Sequence, residues 1–196
     1  MDSPIHFLGF TTSLLELVSF ALSIVMVALN IRQIHWAWLF SILASALYAG
    51  VFFLAKLYGD MALQFVFIAA SVWGWMQWLR GDAQRAQLPV TQLDMRSRLA
   101  AGGLWGVLFL LCTWFLARFT DSDVPQADGF LTAGSLLGQL LLSRKKIENW
   151  HVWIAVDVLY VGLYLYKNLM LTALLYAVFV AMAVAGLRTW RKEWQM

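Results

Sequence analysis

Seven apolar stretches, divided by short polar segments, constrain this chain of 196 residues more than any other feature. Lipid offers the backbone no water, so a stretch that crosses a bilayer folds as a helix bonding its own peptide groups. The stretches fall near 8–29, 36–55, 60–79, 99–117, 129–143, 150–166 and 169–189. Charged residues make up 13% of the chain and hydrophobic ones 62%, where a soluble domain would carry about twice the charge. The sequence therefore predicts an all-α integral membrane protein in a single membrane domain, 1–196. The opening MDSPIHFLGF has no Lys or Arg before its apolar run, which is unlike a cleavable signal peptide. Cys112 is the one cysteine; it allows no internal disulfide and reads as a small core residue.

Seven crossings put the two termini on opposite sides. Of the fourteen Lys and Arg, eleven then fall on one side and three (Lys56, Arg118 and Lys167) on the other. The positive-inside rule places the N-terminus outside and the C-terminus in the cytoplasm. Six or eight spans would break that segregation. The net charge of +3 is explained by this topology, and no nucleic-acid partner is called for.

Laid on itself at an offset of 112 residues, the chain shows an internal repeat. Arg32 falls on Arg144, Trp38 on Trp150, Tyr48 on Tyr160, Gly50 on Gly162, Gly74 on Gly186 and Trp78 on Trp190. Between residues 30 and 82, 14 of 53 aligned positions are identical without a gap. Matches of Leu, Val and Ala are cheap in membrane helices, but Tyr-x-Gly and Gly-x-x-x-Trp recurring in register are not. The expected architecture is two parallel three-helix repeats, 8–79 and 126–190, joined by a linker helix at 99–117 (3+1+3). Repeats of this kind carry a substrate site near the midplane at their interface, which favours a transporter over an enzyme or a receptor.

The candidate site centres on ENWHVWIAVDVLYVGLYLY, residues 148–166. Trp150, Trp153, Asp157, Tyr160 and Tyr164 share one helical face, and Asp157 lies roughly 10 Å along the axis from Trp150. A carboxylate at that depth is costly unless it faces protein or water, so it marks either a functional site or a structural pairing with another helix. Glu16 is a second acidic residue, roughly 12 Å into the first span. Two acids without Lys or Arg in any span interior fit a cationic solute or a proton relay. Protonated carboxyls acting as hydrogen-bond donors are the plain alternative. Gln64, one turn from Asp60, and Tyr176, its partner in the repeat, could bond a ligand or serve as interhelical glue. Tyr48 and Asn30 are further candidates. Trp36, Trp38, Trp73, Trp75, Trp78, Trp190 and Trp194 fall near span ends, where an aromatic belt is expected. Trp153 lies deeper, and an aromatic face beside a carboxylate suits a flat organic cation. No phosphate-cradling motif and no His/Cys cluster at metal-ligand spacing occurs in the sequence, so no cofactor is expected.

The run WAWLFSILASALYAGVFFLAKLYGDMALQ, then WGWMQW, then ENWHVWIAVDVLYVGLYLYKNLMLTALLY resembles the PnuC family of bacterial vitamin transporters. The similarity extends from Glu16 to about Trp190. Its most specific pieces are Glu-Asn-Trp-x-x-Trp at 148–153 and Leu-Tyr-x-Asp-Met-x-Leu-Gln at 57–64. The resemblance implies a SWEET-like fold, a homotrimer in the bacterial cytoplasmic membrane, and uptake of nicotinamide riboside by facilitated diffusion. A cytoplasmic kinase would trap the vitamin. It also implies that Trp150 and Trp153 form the aromatic pair of the site and that Gln64 is its polar residue in the third span. Asp157 departs from the Asn expected in many riboside transporters. An acid there would favour a cation, and both a pyridinium and the thiazolium of thiamine qualify. Thiamine or another vitamin as cargo, and proton-coupled uptake, are the alternatives within transport. A membrane enzyme would need a nucleophile–base pair or metal cluster that the sequence does not display, and a sensor is disfavoured by the repeat.

Overall fold

The computed structural model describes residues 5–7, 10–12, 14–54, 58–81, 87–166 and 170–196. Seven helices carry the chain: α1 (Leu14–Ile31), α2 (Ala37–Leu54), α3 (Tyr58–Arg80), α4 (Met95–Phe119), α5 (Pro125–Ser143), α6 (Glu148–Tyr166) and α7 (Met170–Gln195). The stretch expected to be helical from residue 8 instead begins with a short antiparallel pair, β1 (Ile5–Phe7) and β2 (Phe10–Thr12), in register Ile5↔Thr12. Isoleucine, phenylalanine and paired threonines favour a pleated backbone, and the helix starts at Leu14. The fifth helix starts earlier than the apolar run suggests, because Pro125 sits in its first turn, where its fixed φ suits a helix and its missing N–H costs nothing. Asp94 caps α4 by accepting from the Ser97 N–H at 3.1 Å, and that bonding holds its carboxyl below the usual range.

Three helices are long and apolar enough to cross a membrane by length and composition: Met61–Arg80, Met95–Phe119 and Thr172–Gln195. Phe20–Ile31 and Ala37–Gly50 are shorter apolar runs. The helices pack as a closed ring in the order α1, α2, α3, α5, α6, α7 and back to α1, while α4 lies against α5 and α3 outside the ring.

One end of the ring is held by tryptophan. Trp38, Trp78, Trp150 and Trp190 form a buried cluster with Leu142 and Ile147. This corrects the expected aromatic belt: Trp36 and Trp194 are exposed, but these four are interior. The reason is a set of close helix approaches. A Cβ on Gly74 would lie 2.4 Å from the Trp38 ring, and one on Gly186 would lie 2.6 Å from the Trp150 ring. Hydrophobic burial does little between helices in lipid, so such small-residue seats and interhelical hydrogen bonds do the holding.

The contacts recur at the repeat's offset. Trp38 meets Trp78 edge-on at 5.4 Å, and Trp150 meets Trp190 edge-on at 5.3 Å. Trp78 donates its indole N–H to the Leu142 carbonyl at the end of α5, and Trp190 donates to the Ile31 carbonyl at the end of α1, each at 3.2 Å. The buried indole N–H groups of Trp38 and Trp150 find no acceptor among the described residues. Gln33 and Lys145, also 112 apart, both take positive φ (56° and 47°), and Lys145 Nζ donates to Gln33 Oε1 at 2.8 Å. Gln33 in turn donates to Glu193. Burial pulls the Lys145 ammonium below the ordinary lysine range, and the charge of Glu193 partly opposes this.

Candidate functional site

Inside the ring lies a cavity of about 320 Å³, to which every ring helix contributes and α4 does not. Its floor rests on the tryptophan cluster. Helix α6 sets Trp150, Trp153, Asp157 and Tyr160 on its wall, the 3.6-residue periodicity placing them on one face. Trp150 is only 2% exposed, its ring pressed on Gly186, so it supports the floor and presents almost no surface to the cavity. Trp153 is half-buried and leans on α5 where Gly138 leaves room; a Cβ there would come within 2.9 Å of its ring.

Asp157 is 5% exposed, and no hydrogen bond or ion pair engages its carboxylate among the described residues. This is the feature that needs a ligand most. A buried carboxylate without a partner calls for a cation or a proton. Above it, Tyr160, Tyr164 and Tyr176 form an aromatic triad, with Tyr160 and Tyr176 at 4.7 Å and Tyr164 and Tyr176 at 5.1 Å. Gln64 from α3 and Tyr48 from α2 complete that part of the wall. The structure thus gathers Trp150, Trp153, Asp157, Gln64, Tyr160, Tyr176 and Tyr48 around one cavity. The side chains of Glu16 and Asp60 lie outside the described residues, as do Lys56, Arg85 and Lys167.

Sequence reasoning missed the polar floor of α5. Gln139 is buried and donates to Ser71 Oγ at 3.0 Å, and Ser71 pairs with Ser41 at 2.9 Å, tying α5, α3 and α2 together beside the cavity. Ser135 and Ser45 also line it. The signal was present: Gln139 is the lone side-chain amide of its span. Asn30, named as a weaker candidate, lines the cavity with its buried Oδ1 unbonded among the described residues.

The lining follows the repeat. Ser23 with Ser135, Val27 with Gln139, Asn30 with Leu142 and Ser41 with Trp153 are each 112 residues apart. So are Ser45 with Asp157, Tyr48 with Tyr160, Gln64 with Tyr176 and Phe67 with Phe179. These eight pairs account for sixteen of the twenty lining residues. The cavity is built from matched positions carrying unmatched chemistry.

Comparison with known proteins agrees with this reading of the fold. The family model described as nicotinamide mononucleotide transporter matches residues 13–192. The riboflavin/roseoflavin transporter RibM of Streptomyces davaonensis is 26% identical, over 89% of this chain and 83% of its own length. The nicotinamide riboside transporter PnuC of Escherichia coli is 24% identical, over 95% of this chain and 89% of its own. A crystal structure of the vitamin B3 transporter PnuC superposes with a TM-score of 0.75 at 24% identity, covering 92% of this chain and 82% of that one. With a matching family model over almost its whole length, relatives that are vitamin transporters and the same helical fold, the chain belongs to the PnuC family of membrane transporters.

Proposed function

We propose that this protein carries nicotinamide riboside across the bacterial cytoplasmic membrane by facilitated diffusion, with a cytoplasmic kinase trapping the vitamin. The observation that carries the proposal is the partnerless carboxylate of Asp157 beside Trp153, inside a cavity walled by aromatic rings. The pyridinium ring stacks on Trp153 while Asp157 balances its charge. Gln64, Tyr160 and Tyr176 bond the amide or ribose groups, and Asn30 and Gln139 add polar atoms lower down. Trp150 holds Trp153's end of the helix in place from below.

All seven helices span the bilayer in this reading. α5 and α6, at 19 residues each, reach about 28 Å, close to the hydrocarbon thickness. The halves are parallel repeats about a pseudo-two-fold axis, which is supported by the pairing of lining residues and by Gln33 meeting Lys145, its own counterpart. Rocking one half against the other around the shared cavity gives alternating access. The basic end, closed by the tryptophan cluster, faces the cytoplasm under the positive-inside rule. A homotrimer is the assembly the family resemblance implies.

A second reading keeps the architecture and changes the cargo, and it is favoured by the riboflavin transporter among the relatives. The cavity volume argues for the smaller ligand. At about 320 Å³ it stands at the low end of the range for small-molecule sites, which suits one aromatic ring and a sugar better than a fused tricyclic ring with a ribityl chain. Competition titration of the purified protein with nicotinamide riboside, thiamine and riboflavin, read by tryptophan fluorescence, tests the assignment. Nicotinamide riboside is expected to bind with the greatest quenching and the tightest constant. Preference for riboflavin, which carries no positive charge, would remove the role given to Asp157.

A further inference from the structure

A second pocket, of about 460 Å³, opens at the basic end outside the helix ring, between the starts of α4 and α6 and the ends of α5 and α7. Its rim is charged and its depth is apolar. At the rim, Glu148 is already spent: its carboxylate accepts the Leu93 N–H and two bonds from the Arg98 guanidinium, at 3.0–3.2 Å. Arg191 instead lies 3.3 Å from His151 Nε2 and meets no carboxylate among the described residues. Seven residues further along α4 from Arg98, roughly 10 Å deeper, the wall becomes Trp105, with Leu137 and Leu141 of α5 beside it. The Trp105 N–H is satisfied by the Phe130 carbonyl at 3.2 Å, so the pocket meets only its apolar ring.

We propose that this pocket binds an anionic phospholipid, its phosphodiester on Arg191 and His151 and one acyl chain along Trp105, Leu137 and Leu141. The order of the groups matches the boundary between headgroup and hydrocarbon at a membrane surface. A cation without a partner selects an anion, and the apolar wall selects a tail that a free phosphate lacks. The site is independent of the cargo and of the central cavity, because the two pockets share only Leu137's helix neighbours and no ligand-facing polar group.

The test uses the full chain, purified in detergent and stripped of lipid, with bound lipid counted by native mass spectrometry. Dioctanoyl-phosphatidylglycerol should be retained at concentrations roughly tenfold below those needed for dioctanoyl-phosphatidylcholine, and Arg191→Gln should erase that preference. Arg188→Gln, on the same helix but outside the pocket, removes an equal charge and should leave it intact. A Cβ on Gly102 of α4 meets nothing within 4 Å, so Gly102→Leu fills the pocket without disturbing the fold and should weaken retention of both lipids. Equal retention of the two lipids, or Arg191→Gln behaving as Arg188→Gln, would overturn the proposal. Displacement by millimolar inorganic phosphate with Gly102→Leu silent would assign the rim to a soluble phosphate. A lipid-free wild type whose oligomer mass changes in Gly102→Leu would assign the face to a second copy of the chain; either result rejects the lipid.

Discussion

The two halves of the molecule keep the same scaffold and divide the chemistry unequally. Where α6 places Trp153 and Asp157 on the cavity wall, α2 places Ser41 and Ser45; where α5 offers Gln139, α1 offers Val27. The packing residues, by contrast, are retained in both: Trp38 and Trp150, Gly74 and Gly186, Trp78 and Trp190. A duplicated bundle needs the same seats in each half to close the ring, but one ligand without two-fold symmetry needs only one recognising wall. The serines of the first half leave the space that the second half's aromatic and acidic groups then read.

Substitution at the matched positions should therefore give unmatched results. The largest effect is expected at Asp157. Asp157→Ala should weaken binding of nicotinamide riboside by at least roughly 30-fold, since truncating one member of a buried charge pair costs about 2 kcal/mol or more. Calorimetric titration of the folded variant measures it. Next come the glycine seats, where the halves should behave alike. Gly74→Ala and Gly186→Ala drive a methyl into a tryptophan ring and should each cost about 1–3 kcal/mol in thermal or denaturant unfolding. Gly50→Ala and Gly162→Ala, also 112 residues apart, meet nothing within 4 Å and should be neutral or slightly stabilising. Trp153→Ala should reduce affinity about tenfold through lost stacking and cation–π attraction. Its mirror Ser41→Ala, and Ser45→Ala opposite Asp157, should stay within about twofold, as substitutions away from specific features usually do. Equal losses on the two walls would break the comparison.

The packing scheme and the cavity were legible in the sequence to different degrees. The helices and the repeat could be read because apolar runs and Gly-x-x-x-Trp in register are local patterns, and the face carrying Trp153, Asp157 and Tyr160 follows from helical periodicity alone. The fate of Trp38, Trp78 and Trp190 could not be read in this way. A tryptophan near a span end suits the membrane interface, and only its approach to a glycine on another helix decides that it is buried instead. Gln139, Ser41 and Ser45 were equally hidden, because a small polar residue in an apolar helix looks the same whether it glues helices or lines a cavity. The repeat offset, carried back to Ser23 and Ser135, would have pointed to them. The β1–β2 pair before Leu14 escaped because Phe7, Phe10 and the residues around them continue the hydropathy of the helix that follows.

The central claim is that the cavity between the halves is the transport site for a cationic vitamin. Uptake of labelled nicotinamide riboside into proteoliposomes, with no ion gradient and no kinase, tests it most directly. The expected result is rapid filling to the external concentration and no further, with the rate lost in Asp157→Ala while the variant's unfolding curve stays at the wild-type position. Uptake by Asp157→Ala at the wild-type rate would contradict the account.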